Sequence, residues 1–255
     1  MSVLEETRRD RLTALANVAP GPEVIAPHIP KTAGTSFRHI LGFVYGDDNV
    51  ENDYDDEIGS RRSPFNVDFD AWSRETLAAF ERRTSWPKVV TGHFWLGKYE
   101  AFRPSAVTIV WLREPAERLI SMYFFAQEHH FRSRVPRRRS QFFEHGVVPL
   151  EDFFDRTPAD FMNPVTGRFL EGYDIGDLDF IGIFEHFAED VAELGERLGW
   201  PKVEIPHEHP TTGAKYRDFR PSAGLLSKIR ARNEADVEFY ERALELRRKR
   251  VAAKA

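Results

Sequence analysis

The sequence predicts an α/β domain of three layers, with a central, mostly parallel sheet flanked by helices. Runs rich in β-branched and aromatic residues alternate with segments of helical period, as in βαβ units. The runs are apolar enough to be buried on both faces, which is typical of parallel strands. We predict strands in the segments EVIAPHI, KVVTGHF, AVTIVWL and FIGIF.

Helices are predicted after the first and last of these strands. From Phe37 to Val44, apolar residues recur at i, i+3, i+4 and i+7, and similar spacing recurs from Phe187 to Leu198. Ligands of open parallel sheets bind at the carboxyl ends of the strands. Functional residues are therefore expected just after each strand.

Composition bounds the class of protein. The chain has 255 residues, of which 41% are hydrophobic, so we expect one domain at 23–250 after an N-terminal extension at 1–22. Zero cysteines exclude disulfides, thiolate metal sites and cysteine nucleophiles, and the net charge of −5 argues against nucleic-acid binding. No apolar run approaches about 20 residues, so we expect no integral membrane segment and a soluble, cytoplasmic protein.

The loop after the first predicted strand has the residues of an anion cradle. In HIPKTAGTSF, Gly34 permits close approach of the backbone, Thr35 and Ser36 can donate hydrogen bonds, and Lys31 supplies charge. Lysine precedes the glycine here, unlike the order in a Walker A loop. The alternative is a helix start in which Thr35 or Ser36 only caps the first turn.

A second cationic motif follows the strand AVTIVWL. Arg113 comes directly after it, Pro115 suits the first turn of a helix, and Ser121 lies two turns further. Arg113 and Ser121 are predicted to converge on one anion. The alternative is a surface arginine followed by an incidental serine.

Together the two motifs resemble those of sulfotransferases that use 3′-phosphoadenosine-5′-phosphosulfate (PAPS), in particular the heparan and chondroitin type, sulfotransferase family 2, with its bacterial relatives. HIPKTAGTSF is similar to the 5′-phosphosulfate loop, and VTIVWLREPAERLISMYFF to the 3′-phosphate motif. The resemblance implies the P-loop-like sulfotransferase fold and PAPS as donor. The cofactor-binding residues it implies are Lys31, Thr32, Ala33, Gly34, Thr35, Ser36, Arg113 and Ser121.

The resemblance also implies the catalytic residues. VVTGHFWLG is similar to the segment that carries a histidine facing the acceptor, so His93 is the candidate base, and Lys31 would stabilise the leaving phosphate. A hydrogen-bonded structural role for His93 is the alternative. His28 is expected to pack within the first strand. Looser matches in NPVTGRFLEG, DFIGIFEHFAED and NEADVEFYERALE extend the resemblance over 23–247.

The acceptor is expected to be a small molecule or a glycan, sulfated on a hydroxyl or, less favoured, an amine. Arg168, Arg137 and Arg138 are candidate contacts, the last two within a basic cluster at 132–139 that would suit a polyanion or form a solvated loop. The acidic stretch at 47–70 favours a neutral or cationic acceptor if it covers the cleft, and is otherwise a surface insertion.

No metal is expected, because His207, Glu208 and His209 match no established metal motif. The resemblance leaves two other hypotheses open. One is a Mg-ATP-dependent kinase, although VWLRE lacks the strand-end aspartate that holds magnesium in P-loop NTPases. The other is a non-catalytic module that binds nucleotides or polyanions.

Overall fold

A computed structural model describes residues 21–54, 63–132, 148–157, 162–205 and 218–254, without the side chains of 129–132 and 156. Its strands are Val24–Pro27 (β1), Val50–Asp53 (β2), Val89–Gly92 (β3), Val107–Leu112 (β4) and Phe180–Ile183 (β5). Its α-helices are Gly34–Tyr45 (α1), Phe69–Glu81 (α2), Pro115–Arg132 (α3), Leu150–Arg156 (α4), Phe187–Leu198 (α5), Ala223–Arg232 (α6) and Glu234–Ala252 (α7).

Shorter helical turns connect these elements. Four are 3₁₀ in character, at Asp47–Asn49, Leu96–Ser105, Ile175–Asp177 and Phe184–His186, and one π-helical turn spans Val165–Phe169. None of the described helices combines the length and apolar composition that crossing a bilayer requires.

The five strands form one parallel sheet in the order β2-β3-β1-β4-β5. The central strand β1 pairs with β3 on one side, where Pro27 lies opposite Gly92, and with β4 on the other. The chain leaves β1 towards β2 and later crosses to β4, so the order reverses beside β1. Such a switch point is where open α/β sheets bind ligands.

Both faces of the sheet are covered, which confirms the predicted three layers. On one face, Phe37 of α1 and Val191 of α5 pack against Ile109 and other strand residues. On the other, Phe80 of α2 and Phe239 of α7 pack in the cluster that contains Val90. The four strands expected from the sequence are all present, each slightly shorter than its apolar run.

The interpretation of 47–70 as a surface loop is wrong for its described part. Val50–Asp53 is the edge strand β2, paired in parallel with β3, and Asp68 caps α2 by accepting a hydrogen bond from the Ala71 amide at 2.7 Å. The sequence of β2, VEND, contains only one apolar residue, so no alternation of apolar and polar residues indicated a strand there. The rest of that stretch at 55–62, like the expected extension at 1–22 up to residue 20, lies outside the described residues.

A third apolar cluster lies among α3, α4 and α6. Leu119 of α3, Phe154 of α4 and Ile229 of α6 are nearly inaccessible within it. This cluster buries the face of α3 that points away from the sheet and so fixes the helix on which Ser121 lies.

Candidate anion-binding and catalytic site

The carboxyl ends of β1, β3 and β4 bring the predicted functional residues to one edge of the sheet. His28 is the first residue after β1, His93 the first after β3, and Arg113 the first after β4. The His28 amide donates to the Gly92 carbonyl at 2.6 Å, which ties the first two strand ends together. Lys31, His93 and Arg113 are thus neighbours in the fold although far apart in sequence.

The loop between β1 and α1 holds two non-glycine residues in the left-handed region. Lys31 has φ 72° and Ala33 has φ 70°, a conformation that costs about 1–2 kcal/mol per residue. The buried Thr32 between them donates its hydroxyl to the Ile29 carbonyl at 2.8 Å, which holds the loop in place. Backbone strain of this kind concentrates at ligand-binding loops, as expected for an anion cradle.

The start of α1 does not match the capped-helix alternative. Ala33 occupies the N-cap position, with Gly34 as the first helical residue and Thr35 and Ser36 following. In the described residues, no side chain caps this helix, so its first N–H groups remain available at the positive end of the helix dipole. Thr35 is exposed and Ser36 partly so, which leaves both hydroxyls accessible.

The ring of His28 leaves no room for a side chain at position 34, which explains the glycine there. A Cβ at position 34 would lie 1.8 Å from Cδ2 of the His28 ring, far inside van der Waals contact. The expectation that His28 belongs to the first strand is wrong, because β1 ends at Pro27 and His28 is the residue that follows it. His28 instead packs at the site, between the cradle and β3.

Arg113 joins the two cationic motifs. Its Nη1 donates to the Lys31 carbonyl at 3.3 Å, and its guanidinium lies 4.2 Å from the centroid of the Phe184 ring, after β5. Pro115 is the first residue of α3, as predicted, and Glu114 caps this helix by accepting from the Glu117 amide at 2.8 Å. Arg113 is therefore held at the switch point beside β1.

Ser121 lies on α3 two turns after Arg113, as the spacing predicts. It is 3% exposed, and Arg113 is 9% exposed. Both side chains are thus desolvated at the same end of α3, but their convergence on one anion stays a prediction.

His93 lies among aromatic rings. Its ring centroid is 4.8 Å from that of His28, 4.7 Å from that of Tyr54 and 6.3 Å from that of Phe169. Burial, together with the neighbouring His93 and Lys31, lowers the pKa of His28 to about 3. His28 is therefore a neutral neighbour of His93, a role that sequence reasoning missed although Pro27 signalled the end of the strand.

Arg168 lies on the π-helical turn that also carries Phe169, with its guanidinium 4.9 Å from the centroid of the Phe65 ring. Asp236 of α7 accepts hydrogen bonds from the Thr166 hydroxyl at 2.8 Å and from the Thr166 and Val165 amides. The structure thereby joins NPVTGRFLEG to NEADVEFYERALE, two segments of the looser resemblance. Turns of π-helix often mark functional sites.

Other candidates fall outside the described residues. These are Arg134, Arg137, Arg138 and Arg139 of the basic cluster and His207, Glu208 and His209, as well as the side chain of Arg132. Within the described ranges, no three potential metal ligands gather at one point. Independence of a metal stays a prediction.

A cleft of about 670 Å³ opens between β2, α2 and the segment Leu96–Ser105. Asp53 at the end of β2 lies at one side of it, where its carboxylate accepts from Lys98 Nζ and from the Tyr99 hydroxyl, both at 2.8 Å. Glu51 forms a bidentate pair with Arg83. Asp53 lies opposite Gly92 of the neighbouring strand β3, and His93 directly follows Gly92. The cleft at the end of β2 therefore begins one strand away from His93.

The fold and the two cationic motifs define the class: an α/β domain whose parallel sheet carries basic residues at its carboxyl edge. A model described as Sulfotransferase family matches residues 15–243. The chain therefore belongs to the sulfotransferase family, in its family 2 branch, and is a transferase of sulfuryl groups. No curated protein matches the sequence.

Proposed function

We propose that this protein transfers the sulfuryl group of PAPS to a hydroxyl of a carbohydrate or glycoconjugate, with an amine as the less favoured nucleophile. The observation that carries the proposal is the junction of Lys31 and Arg113. A hydrogen bond of 3.3 Å joins the loop expected at the 5′-phosphosulfate to the arginine expected at the 3′-phosphate. A nucleotide phosphorylated at both ends of its ribose matches two such motifs.

The residues present fit this donor. Lys31 and Arg113 bring positive charge to the switch point, and the uncapped start of α1 adds backbone donors beside them. The left-handed residues of the loop orient those donors at an energetic cost that an anion would offset. The family match favours this interpretation over a kinase, and the combination of Lys31 with His93 favours an enzyme over a binding module.

When bound, PAPS supplies a sulfuryl group on a phosphate leaving group. Lys31 would hold positive charge at the oxygen between them, where negative charge increases during transfer. Its Nζ lies 4.2 Å from the centroid of the Phe125 ring, so the aromatic face keeps the amine at the edge of the sheet. Lys31 thus acts by position and charge and exchanges no proton.

His93 would accept the proton of the acceptor hydroxyl. An imidazole can do so near neutral pH. The rings of Tyr54 and Phe169 limit the directions from which water reaches it, and the neutral His28 places no second positive charge beside it. His93 is therefore placed to become positively charged as the proton moves.

The cleft beside β2 supports a neutral or cationic acceptor over a polyanion. Its carboxylates are Glu51, Asp53, Asp68 and Glu75, and its cations are Arg83 and Lys98. Four formal negative charges against two positive ones would repel a sulfated or carboxylated glycan. Trp72 and Tyr99 add aromatic surface, which suits the apolar face of a sugar ring. Arg168, which contacts the Phe65 ring, is the candidate acceptor contact outside the lining of the cleft.

Calorimetric titration of the metal-free protein tests the donor. We expect 3′-phosphoadenosine-5′-phosphate to bind tightly, and ATP with magnesium to bind weakly in a parallel cell. Arg113→Ala should weaken the bisphosphate by about 10- to 100-fold, the usual range for a lost hydrogen bond to a charged group, while leaving 5′-AMP nearly unchanged. Preference for magnesium-ATP would favour the kinase, and no binding in either cell would favour the non-catalytic module.

A further inference from the structure

Arg118 of α3 is a buried cation, and two of its three guanidinium nitrogens form no hydrogen bond with the described residues. Its side chain is 4% exposed, and neither Nε nor Nη2 has a hydrogen-bond partner there. The buried Lys98 and Arg247, by contrast, reach Asp53 at 2.8 Å and Asp190 at 2.7 Å. A buried guanidinium without acceptors is costly, and the usual explanation is an ion or ligand that binds there.

The nearest carboxylate does not supply these acceptors. Arg118 interacts electrostatically with Asp236, which raises the pKa of Arg118, whereas burial and the like charge of Arg113 lower it. The oxygens of Asp236 already accept from Val165 and Thr166, at distances between 2.8 and 3.1 Å. Asp236 therefore offsets the charge of Arg118 at longer range without bonding to it.

The position of Arg118 on α3 points towards the 3′-phosphate motif. Residues three apart share a helix face, so Arg118 and the buried Ser121 lie on one side of α3. Arg113, which lies within electrostatic range of Arg118, precedes the same helix. Two guanidiniums and one hydroxyl, all less than one-tenth exposed, therefore surround the start of α3.

We propose that Arg118 is a third ligand of the phosphate that Arg113 and Ser121 bind, and that it selects a terminal phosphate monoester. This inference rests on the proposed use of a 3′-phosphorylated nucleotide. A phosphate monoester carries close to two negative charges at pH 7, and its terminal oxygens can accept hydrogen bonds from Arg118 as well as from Arg113, whereas a free 3′-hydroxyl leaves the buried Nε and Nη2 of Arg118 without anionic acceptors. Arg118 then contributes to donor selection and takes no part in proton transfer.

The test compares two nucleotides on three variants by calorimetry. The probes are 3′-phosphoadenosine-5′-phosphate and 5′-AMP, which differ only in the 3′-phosphate. Arg118→Met should weaken the bisphosphate by about 10- to 100-fold and 5′-AMP by less than about threefold, with Arg118→Lys between Arg118→Met and wild type. Arg250→Met is the matched control, because Nη2 of Arg250 is also buried without a hydrogen-bond partner in the described chain but lies against Asp190.

The outcomes separate this inference from the proposed function. If wild type binds both nucleotides equally, the 3′-phosphate assignment itself fails. If wild type prefers the bisphosphate but Arg118→Met weakens both probes equally, Arg118 is structural and the inference is overturned. Should neither Arg118 variant fold, a crystal structure of wild type with the bisphosphate decides: an Arg118 nitrogen within about 3.2 Å of a 3′-phosphate oxygen supports the inference, and a greater distance rejects it.

Discussion

The two halves of the carboxyl edge treat charge in opposite ways. On the side of β2 and α2, the two cations that line the cleft each pair with a carboxylate, Arg83 with Glu51 and Lys98 with Asp53. On the side of β4 and α3, the buried guanidinium of Arg118 interacts electrostatically with Asp236, whose oxygens are bonded elsewhere, and its Nε and Nη2 have no hydrogen-bond partner among the described residues. The cations that line the cleft of the first half are thus paired within the chain, whereas Arg118 in the second half is not hydrogen-bonded through these two nitrogens.

The largest effect is expected at Lys31. Lys31→Ala should lower the turnover of PAPS by at least about 1,000-fold, because it removes the charge at the leaving oxygen, and should change the free energy of unfolding little. Rates of sulfated product formation and urea unfolding measure the two effects. Lys88→Ala is the control, since that lysine forms an exposed pair with Glu23 away from the site. Turnover near that of wild type would remove Lys31 from the mechanism.

His93→Ala should lower turnover by about 100-fold or more, the usual scale for a lost general base. Nucleotide affinity should stay within about threefold of wild type, because the lost group belongs to the acceptor side. Steady-state rates with calorimetry of 3′-phosphoadenosine-5′-phosphate test both parts, with the exposed His39→Ala as control. If nucleotide binding fell as much as turnover, His93 would be a structural residue.

Lys98→Met should cost about 2 kcal/mol of unfolding free energy, because it leaves the buried carboxylate of Asp53 with one fewer charged partner. The same substitution at Lys88, in an exposed pair with Glu23, should cost less than about 1 kcal/mol. Urea denaturation of both variants gives the comparison. Equal costs in unfolding free energy would contradict the view that ion pairs within the chain stabilise the side of β2 and α2.

The smallest effect is a pH dependence from His28. Its pKa is about 3 when folded and 6.5 ordinarily, so the unfolded chain binds the proton first. Stability is therefore complete above pH 6.5 and decreases as the pH falls towards 3, by about 1 kcal/mol at pH 5.5. Urea unfolding at pH 7.5 and 5.5 should show this loss in wild type and in His39→Asn, but less of it in His28→Asn. An unchanged pH dependence in His28→Asn would assign the loss to other groups.

The sequence predicted the fold and the cationic loops well, because those features are local. A run such as VTIVWL indicates a buried strand by itself, and the residues following it must lie at the edge. The sequence did not predict β2, because its segment VEND has no strand pattern and joins the sheet through backbone pairing with β3. The contact of His28 with His93 and the incomplete bonding of Arg118 are properties of the assembled fold, so no local pattern indicates them.

The His28 ring fills the space that a side chain at position 34 would need, and this restricts how the loop can evolve. With a Cβ at position 34 placed 1.8 Å from the His28 ring, any larger residue there requires a smaller one at position 28. Single substitutions that enlarge position 34 should therefore be rejected, while the same changes become acceptable after position 28 has shrunk. The order of the two substitutions then decides whether a descendant keeps a folded cradle, so positions 28 and 34 should covary as a pair.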